Sequence, residues 1–124
     1  LLPVDSDRSA RRIRDIVRAR LGVNVGVIVS DTFGRPWRKG LTDVAIGVAG
    51  IAGVVDLRGT EDALGRVMQV TEVAVADELA SMGELVMGKS NGIPVSVIRG
   101  GDPTWFRDSS MDELVRPASE DLFR

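Results

Sequence analysis

Val25-Gly26-Val27-Ile28-Val29-Ser30-Asp31-Thr32-Phe33-Gly34-Arg35-Pro36-Trp37-Arg38-Lys39-Gly40 is the stretch from which the rest of the chain is read. A Val- and Ile-rich run ends abruptly in a carboxylate and a hydroxyl, and three cations follow. The apolar part, Val23 to Ser30, reads as a buried strand, and residues 31–41 read as the polar loop that leaves it. Asp31 and Thr32 offer hard oxygens suited to Mg²⁺ or Mn²⁺. Arg35, Arg38 and Lys39 offer donors for phosphate or carboxylate. A plainer reading stays open: Asp-Thr and Gly-Arg-Pro are also ordinary turn chemistry. Trp37 reads as a packing residue or hinge anchor, with a stacking platform as the alternative.

At 124 residues the chain is one domain or part of one. Hydrophobic residues make up 44% of it and aromatics 4%, so its core must be aliphatic. It has no Cys and no His, which removes disulfides, thiol and imidazole catalysis, and the usual zinc ligand sets. Any metal would be held by oxygen. The net charge of −2 argues against a general nucleic-acid role. Basic residues nevertheless gather early, with Arg8, Arg11, Arg12, Arg14, Arg18 and Arg20 on one expected helix. They read as a solvated face, with an acidic partner as the alternative. No apolar run reaches the ~18 residues of a membrane span, no signal-peptide pattern is present, and the absence of Cys is compatible with the cytosol. The opening Leu1-Leu2-Pro3-Val4 lacks Met and fits a fragment or a processed chain.

Outward from the central stretch, Leu1 to Val4 reads as a strand end, and Asp5-Ser6-Asp7 supplies candidate N-caps. Ala10, Ile13, Val17 and Leu21, widened by Ile16, set a helix from about Arg8 to Leu21, with Gly22 after its end. Thr42 to Val48 reads as a second strand. Gly47, Gly50 and Gly53 permit close backbone approach. Val54 to Leu57 and Arg66 to Thr71 read as short strands around a polar turn. Glu72 to Met87 reads as the second helix, capped by Thr71, with Val75, Leu79, Met82 and Val86 on one stripe. Beside it runs a small-residue stripe of Ala76, Ala80 and Gly83. Pro94 to Ile98 reads as a last strand, and residues 104–124 as a peripheral tail or linker. The class is α/β or α+β, a mixed sheet with two main helices.

The run Ser30 to Arg38 resembles the central motif of coenzyme F-420:L-glutamate ligases, the F-420-0 gamma-glutamyl ligases. Four further segments agree in order: Val44 to Gly50, Val70 to Ala80, Glu84 to Lys89, and Pro94 to Gly100. The resemblance covers the C-terminal half of the ligase domain, residues 1–103, and the two ends look most like the actinobacterial two-domain form. It implies a cytoplasmic, intertwined homodimer that adds L-glutamate to the deazaflavin F-420-0. GTP would be the co-substrate, Mg²⁺ or Mn²⁺ and K⁺ the ions, and an acyl phosphate the intermediate. No nucleic acid and no membrane would take part. The resemblance also implies roles for residues. Asp31 would be a metal ligand and Thr32 would help hold a second metal, while Met87, Gly88, Lys89, Ser90, Asn91, Gly92, Ile93 and Pro94 would lie along the nucleotide. Lys89 departs from the Glu or Gln of many archaeal members. From the residues themselves, Arg35 and Arg38 are the candidate catalytic cations, clamping phosphate or a substrate carboxylate, with structural ion pairs as the alternative. The isolated half is expected to be inactive without the preceding half. The rival reading is a non-catalytic anion-binding or assembly module that retains part of the fold.

Overall fold

A computed structural model describes residues 2–121; Leu1 and residues 122–124, which belong to the expected opening strand and tail, lie outside the described residues. Helix α1 spans Ser6–Leu21. Asp5 caps it, its side chain accepting the Arg8 N–H at 2.7 Å, and Gly22 closes it at φ +68°. Of its expected apolar stripe only Ala10 is buried, while Ile13, Ile16 and Leu21 stay exposed. Leu2 to Val4 lie outside any strand.

Strands β1 (Val27–Gly34) and β2 (Leu41–Ala49) pair antiparallel. The central stretch is therefore a hairpin: β1 runs through Asp31 and Thr32 to Gly34, so these two residues sit on a strand and not in the loop. The connecting loop is correspondingly shorter than expected. Register shifts between Val29 and Ser30, because Val29 faces Gly47 and Ser30 faces Ala45. Ile46 is the extra residue, a β-bulge that bends β2.

β2 also carries the core. Ala45 and Val48 pack with Ala76 of α2 (Val75–Met87), and Ile28, Met111 and Leu114 close over them. Two β2 amides find carboxylates from the helices: Val48 N–H donates to Asp7 at 2.8 Å, and Ala45 N–H donates to Asp77 at 2.9 Å. The second Asp7 oxygen accepts the Met111 N–H at 3.0 Å, so one buried-side carboxylate ties α1, β2 and the C-terminal segment together. The small-residue stripe of α2 is the buried one, whereas Met82 and Val86 are exposed. Close approach through Ala76, Ala80 and Gly83 thus decides which face of α2 turns inward.

Glu72–Val73 forms strand β4 and pairs antiparallel with β3 (Val55–Asp56), so the helix expected from Glu72 begins three residues later. Thr71 does not cap it. Ala74 holds that position without a side-chain bond, and the Ala76 N–H donates to the Gly53 carbonyl instead. Arg66 to Thr71 is not a regular strand. Only the bridge Glu61–Val67 and scattered bonds such as Gly59 N–H to Met68 O zip this arm. Asp62 turns its tip by accepting the Leu64 and Arg66 N–H groups. At its base Arg58 holds the exposed Asp56 carboxyl down to about 2, chiefly through their side-chain hydrogen bond. Pro94–Ile98 is also not a strand: it has no ladder to join, and Ser96 instead lies against Gly83 of α2. Both strand pairings are antiparallel, with no parallel pair among the described residues, so the architecture is α+β.

Residues 103–114 strap the glycine-rich turn that follows β2. Ala52 N–H donates to Trp105 O at 2.7 Å, and the Ser109 hydroxyl donates to the Ile51 carbonyl. Glu113 accepts the Gly53 and Val54 N–H groups and receives both terminal nitrogens of Arg107. Its pKa is lowered, first by the Arg107 hydrogen bond, then by the Val54 and Gly53 amides, against the opposing effect of burial. A carboxylate lowered in the fold contributes stability above its unfolded value of about 4.3. That stability disappears as pH falls through the lower folded value. Thermal unfolding should therefore show a Tm that drops on acidification below about pH 4.3. Glu113→Gln should lower Tm at neutral pH and flatten the acid limb; an unchanged acid limb would remove this ion pair from the account.

Candidate functional site

Cross-strand pairing of Thr32 with Asp43 builds the centre of the site. Asp43 is the one buried charged residue among those described, 6% exposed. Its carboxylate accepts the Ser30 hydroxyl at 3.1 Å and the Thr32 hydroxyl at 3.3 Å. Lys89, just past the C-terminal end of α2, donates to the same carboxylate and, at 2.7 Å, to the Thr32 hydroxyl. Glu84, in the last turns of α2, lies 3.5 Å from the ammonium. The Lys89 pKa is raised, first by the hydrogen bond to Asp43, so it is a cation at any physiological pH. A cation also suits the carbonyl end of a helix. Ser81 holds α2 to this edge, donating to the Asp43 carbonyl and bonding Thr42, both at 2.7 Å.

Asp31 lies elsewhere. Side chains alternate along a strand, so Asp31 occupies the face opposite Ser30 and Thr32. It is exposed, and one carboxylate oxygen accepts the following Thr32 N–H at 2.8 Å. The two sequence-derived metal ligands are therefore adjacent in the chain but divided by the ribbon. Among the described residues no three acidic side chains gather where a metal ion could be held.

The cationic loop turns through Pro36 and Trp37, with Arg38 N–H reaching the Arg35 carbonyl. Trp37 packs on nothing: it is 98% exposed and sits at φ +63°, a left-handed conformation that a bulky residue rarely adopts. The packing role expected of it is not seen. Arg35 donates to the Lys39 carbonyl at 3.1 Å, while its Nε–H is buried without a partner. It lines a shallow groove of about 510 Å³ with Thr42, Val44, Ser81 and the first turn of α2. Arg38 has no side-chain partner among the described residues. Among the described residues neither Arg35 nor Arg38 forms an ion pair.

The residues 87–94 bend away from α2 through Gly88 and Gly92, both at φ +66°. Asn91 donates back to the Met87 carbonyl at 3.2 Å, and Ser90 to Pro94 are exposed. The loop is compact and open to solvent, and Lys89 ties its start to β1 and β2.

Residues 1–100 match the family model described as F420-0:Gamma-glutamyl ligase. The chain belongs to the F420-0:gamma-glutamyl ligase family. Two curated relatives carry the name coenzyme F420:L-glutamate ligase. The one from Methanococcus maripaludis strain C7 is 48% identical over 124 residues, which is 99% of this chain and 50% of the relative. The one from Methanocaldococcus jannaschii is 48% identical over 125 residues, again 50% of the relative. The chain spans about half the length of the curated relatives it matches.

Asp43, Ser30 and Glu84 are the site residues that sequence reasoning passed over. Asp43 did leave a signal, as a lone carboxylate in a strand otherwise built of Leu, Thr, Val, Ala, Ile and Gly. An acid in such a run has to be partnered when it is buried. Its carboxylate partners come from two distant places, β1 and the turn after α2, which no local pattern announces.

Proposed function

We propose that this chain is the C-terminal portion of a GTP-dependent ligase that adds L-glutamate to the deazaflavin F-420-0 in coenzyme F-420 biosynthesis. Membership of the ligase family across residues 1–100 carries the proposal. The absence of ion pairs at Arg35 and Arg38 among the described residues is in keeping with it. Amide formation from a carboxylate needs activation, here by transfer of the GTP γ-phosphoryl group to the carboxylate oxygen. The glutamate amine then attacks the acyl carbon, its proton leaves, and phosphate departs. A protein aids such transfers mainly by positioning and charge neutralisation. Arg35 and Arg38 would hold the transferred phosphate or the substrate carboxylate. The Met87 to Pro94 loop would lie along GTP, with the Ser90 hydroxyl placed to bond phosphate and Lys89 presenting only the part of its ammonium that Asp43 leaves open.

Asp31 would contribute one carboxylate to a Mg²⁺ or Mn²⁺ ion, with K⁺ as a further ion, and the remaining ligands would come from outside the described residues. The proposal extends to a cytoplasmic homodimer. Exposed Leu64, Val67 and Val70 on the β3–β4 arm, with Leu85, Val95 and Val97, form apolar surface that a second copy or the rest of the protein would cover. The same surface is what an assembly module would use, and activity separates the two readings.

The test is to incubate the whole protein with GTP, F-420-0 and L-glutamate and to follow the product by mass. Glutamylated product with matching phosphate release is expected; neither, in a folded protein, would favour the non-catalytic module. Arg38→Met should raise KM for the anionic substrate roughly ten- to a hundredfold, the range of a lost charged hydrogen bond. An unchanged KM would remove Arg38 from the clamp.

A further inference from the structure

Thr32, Asp43 and Glu84 bring a hydroxyl and carboxylate oxygens from β1, β2 and α2 to one place, and the Ser30 hydroxyl braces the other oxygen of Asp43. Such hard donors are the usual surroundings of Mg²⁺, Mn²⁺ or Ca²⁺. Here the place is taken. The Lys89 ammonium bonds the Thr32 hydroxyl at 2.7 Å and the Asp43 carboxylate, and lies 3.5 Å from Glu84. Both hydroxyls are already turned toward Asp43, which is 8% exposed as a side chain, so the oxygens are ordered around a positive charge and shielded from water on one side. Gly88, at φ +66°, turns the chain at the end of α2 so that the next residue reaches back over the ribbon.

We propose that Lys89 is a built-in cation, occupying an oxygen cluster of metal-binding type and keeping a divalent ion out of it. One tethered positive charge balances part of the Asp43 and Glu84 pair, and a second cation at the same oxygens would meet the ammonium at contact distance. Without the ammonium, two carboxylates and the Thr32 hydroxyl would face one another with no counter-charge, hard oxygens of the kind a divalent ion takes. The inference concerns which cation these oxygens hold. It stands whether or not the protein ligates glutamate, and its test needs no turnover.

Mn²⁺ binding to the whole protein, measured by electron paramagnetic resonance without nucleotide, decides it. Lys89→Gln and Lys89→Met should each bind one more Mn²⁺ per chain than the unmutated protein. Lys89→Arg, which keeps a cation, should bind no more than the unmutated protein, and adding Asp43→Asn to Lys89→Gln should abolish the gain. Equal Mn²⁺ binding by the unmutated protein and folded Lys89→Gln would overturn the proposal. A second measurement needs no variant. The rate at which acetic anhydride modifies Lys89, read by mass spectrometry, should be the same with and without Mn²⁺; acceleration by Mn²⁺ would show the ion displacing the ammonium and would likewise overturn it.

Discussion

Gly47→Ala is expected to destabilise the protein by about 3 kcal/mol or more, the upper range for overpacking against atoms that cannot move aside. A Cβ at Gly47 would lie 2.4 Å from the Ser6 carbonyl carbon and 2.5 Å from its oxygen. Both are backbone atoms at the start of α1, so no rotamer change relieves the overlap. Relief would require α1 to lift away from β2. That would strain the Asp7 bonds to Val48 and Met111 and open the space around Ala10, which is wholly buried. Gly34→Ala is the matched control: its nearest neighbour would be a Leu41 methyl at 3.9 Å, ordinary van der Waals contact. Urea unfolding of the whole protein should show a large fall in midpoint for Gly47→Ala and a shift within about 0.5 kcal/mol for Gly34→Ala. Similar midpoints for the two would mean that α1 does not press on β2 as described.

The second large effect is expected at Asp43. Asp43→Ala removes the acceptor of the Ser30 and Thr32 hydroxyls and the counter-charge of Lys89 in one step. Each stranded polar group costs about 1–3 kcal/mol when water cannot replace its partner. Ser30 and Thr32 are only partly shielded, so a loss of about 2–4 kcal/mol is expected from the hydroxyls and the cavity together. Asp43→Asn keeps the shape and one acceptor oxygen, and should recover about half of that loss while still freeing Lys89. Unfolding midpoints of the two variants check this. Equal destabilisation would assign the effect to charge alone, and no destabilisation by Ala would contradict the burial of Asp43.

Much of the local structure could be read from the residues because its causes are local. Asp5 and Gly22 bracket α1 through capping and left-handed backbone chemistry, both properties of single residues. Val23 to Ser30 read as strand and the strand does form, from Val27 onward, though half-buried at most; the ordered motifs from Ser30 to Gly100 carried the family without any coordinates. Expectations failed where a partner decides. Pro94 to Ile98 has strand composition but no free ladder beside it, and Glu72–Val73 is strand only because Val55–Asp56 lies opposite. Helix stripes misled for the same reason: Ile13, Ile16, Met82 and Val86 have the right period, yet the faces turned inward are those of Ala10, Ala76, Ala80 and Gly83, which let backbones approach.

The candidate site divides along the same line. Its cationic loop, Arg35 to Lys39, and the glycine-bounded loop after α2 are contiguous, so both could be read as loops from the sequence alone, although only the family resemblance implied a role for the second. The grouping of Ser30, Thr32, Asp43, Glu84 and Lys89, and the separation of Asp31 from Thr32, came only with the tertiary structure. Strand alternation sends neighbours to opposite faces, hairpin register brings Thr32 and Asp43 together across eleven positions, and the end of α2 delivers Lys89 from 46 positions beyond Asp43. A charge can be seen in a sequence, but the partner that makes it bearable to bury is chosen by the packing of distant elements.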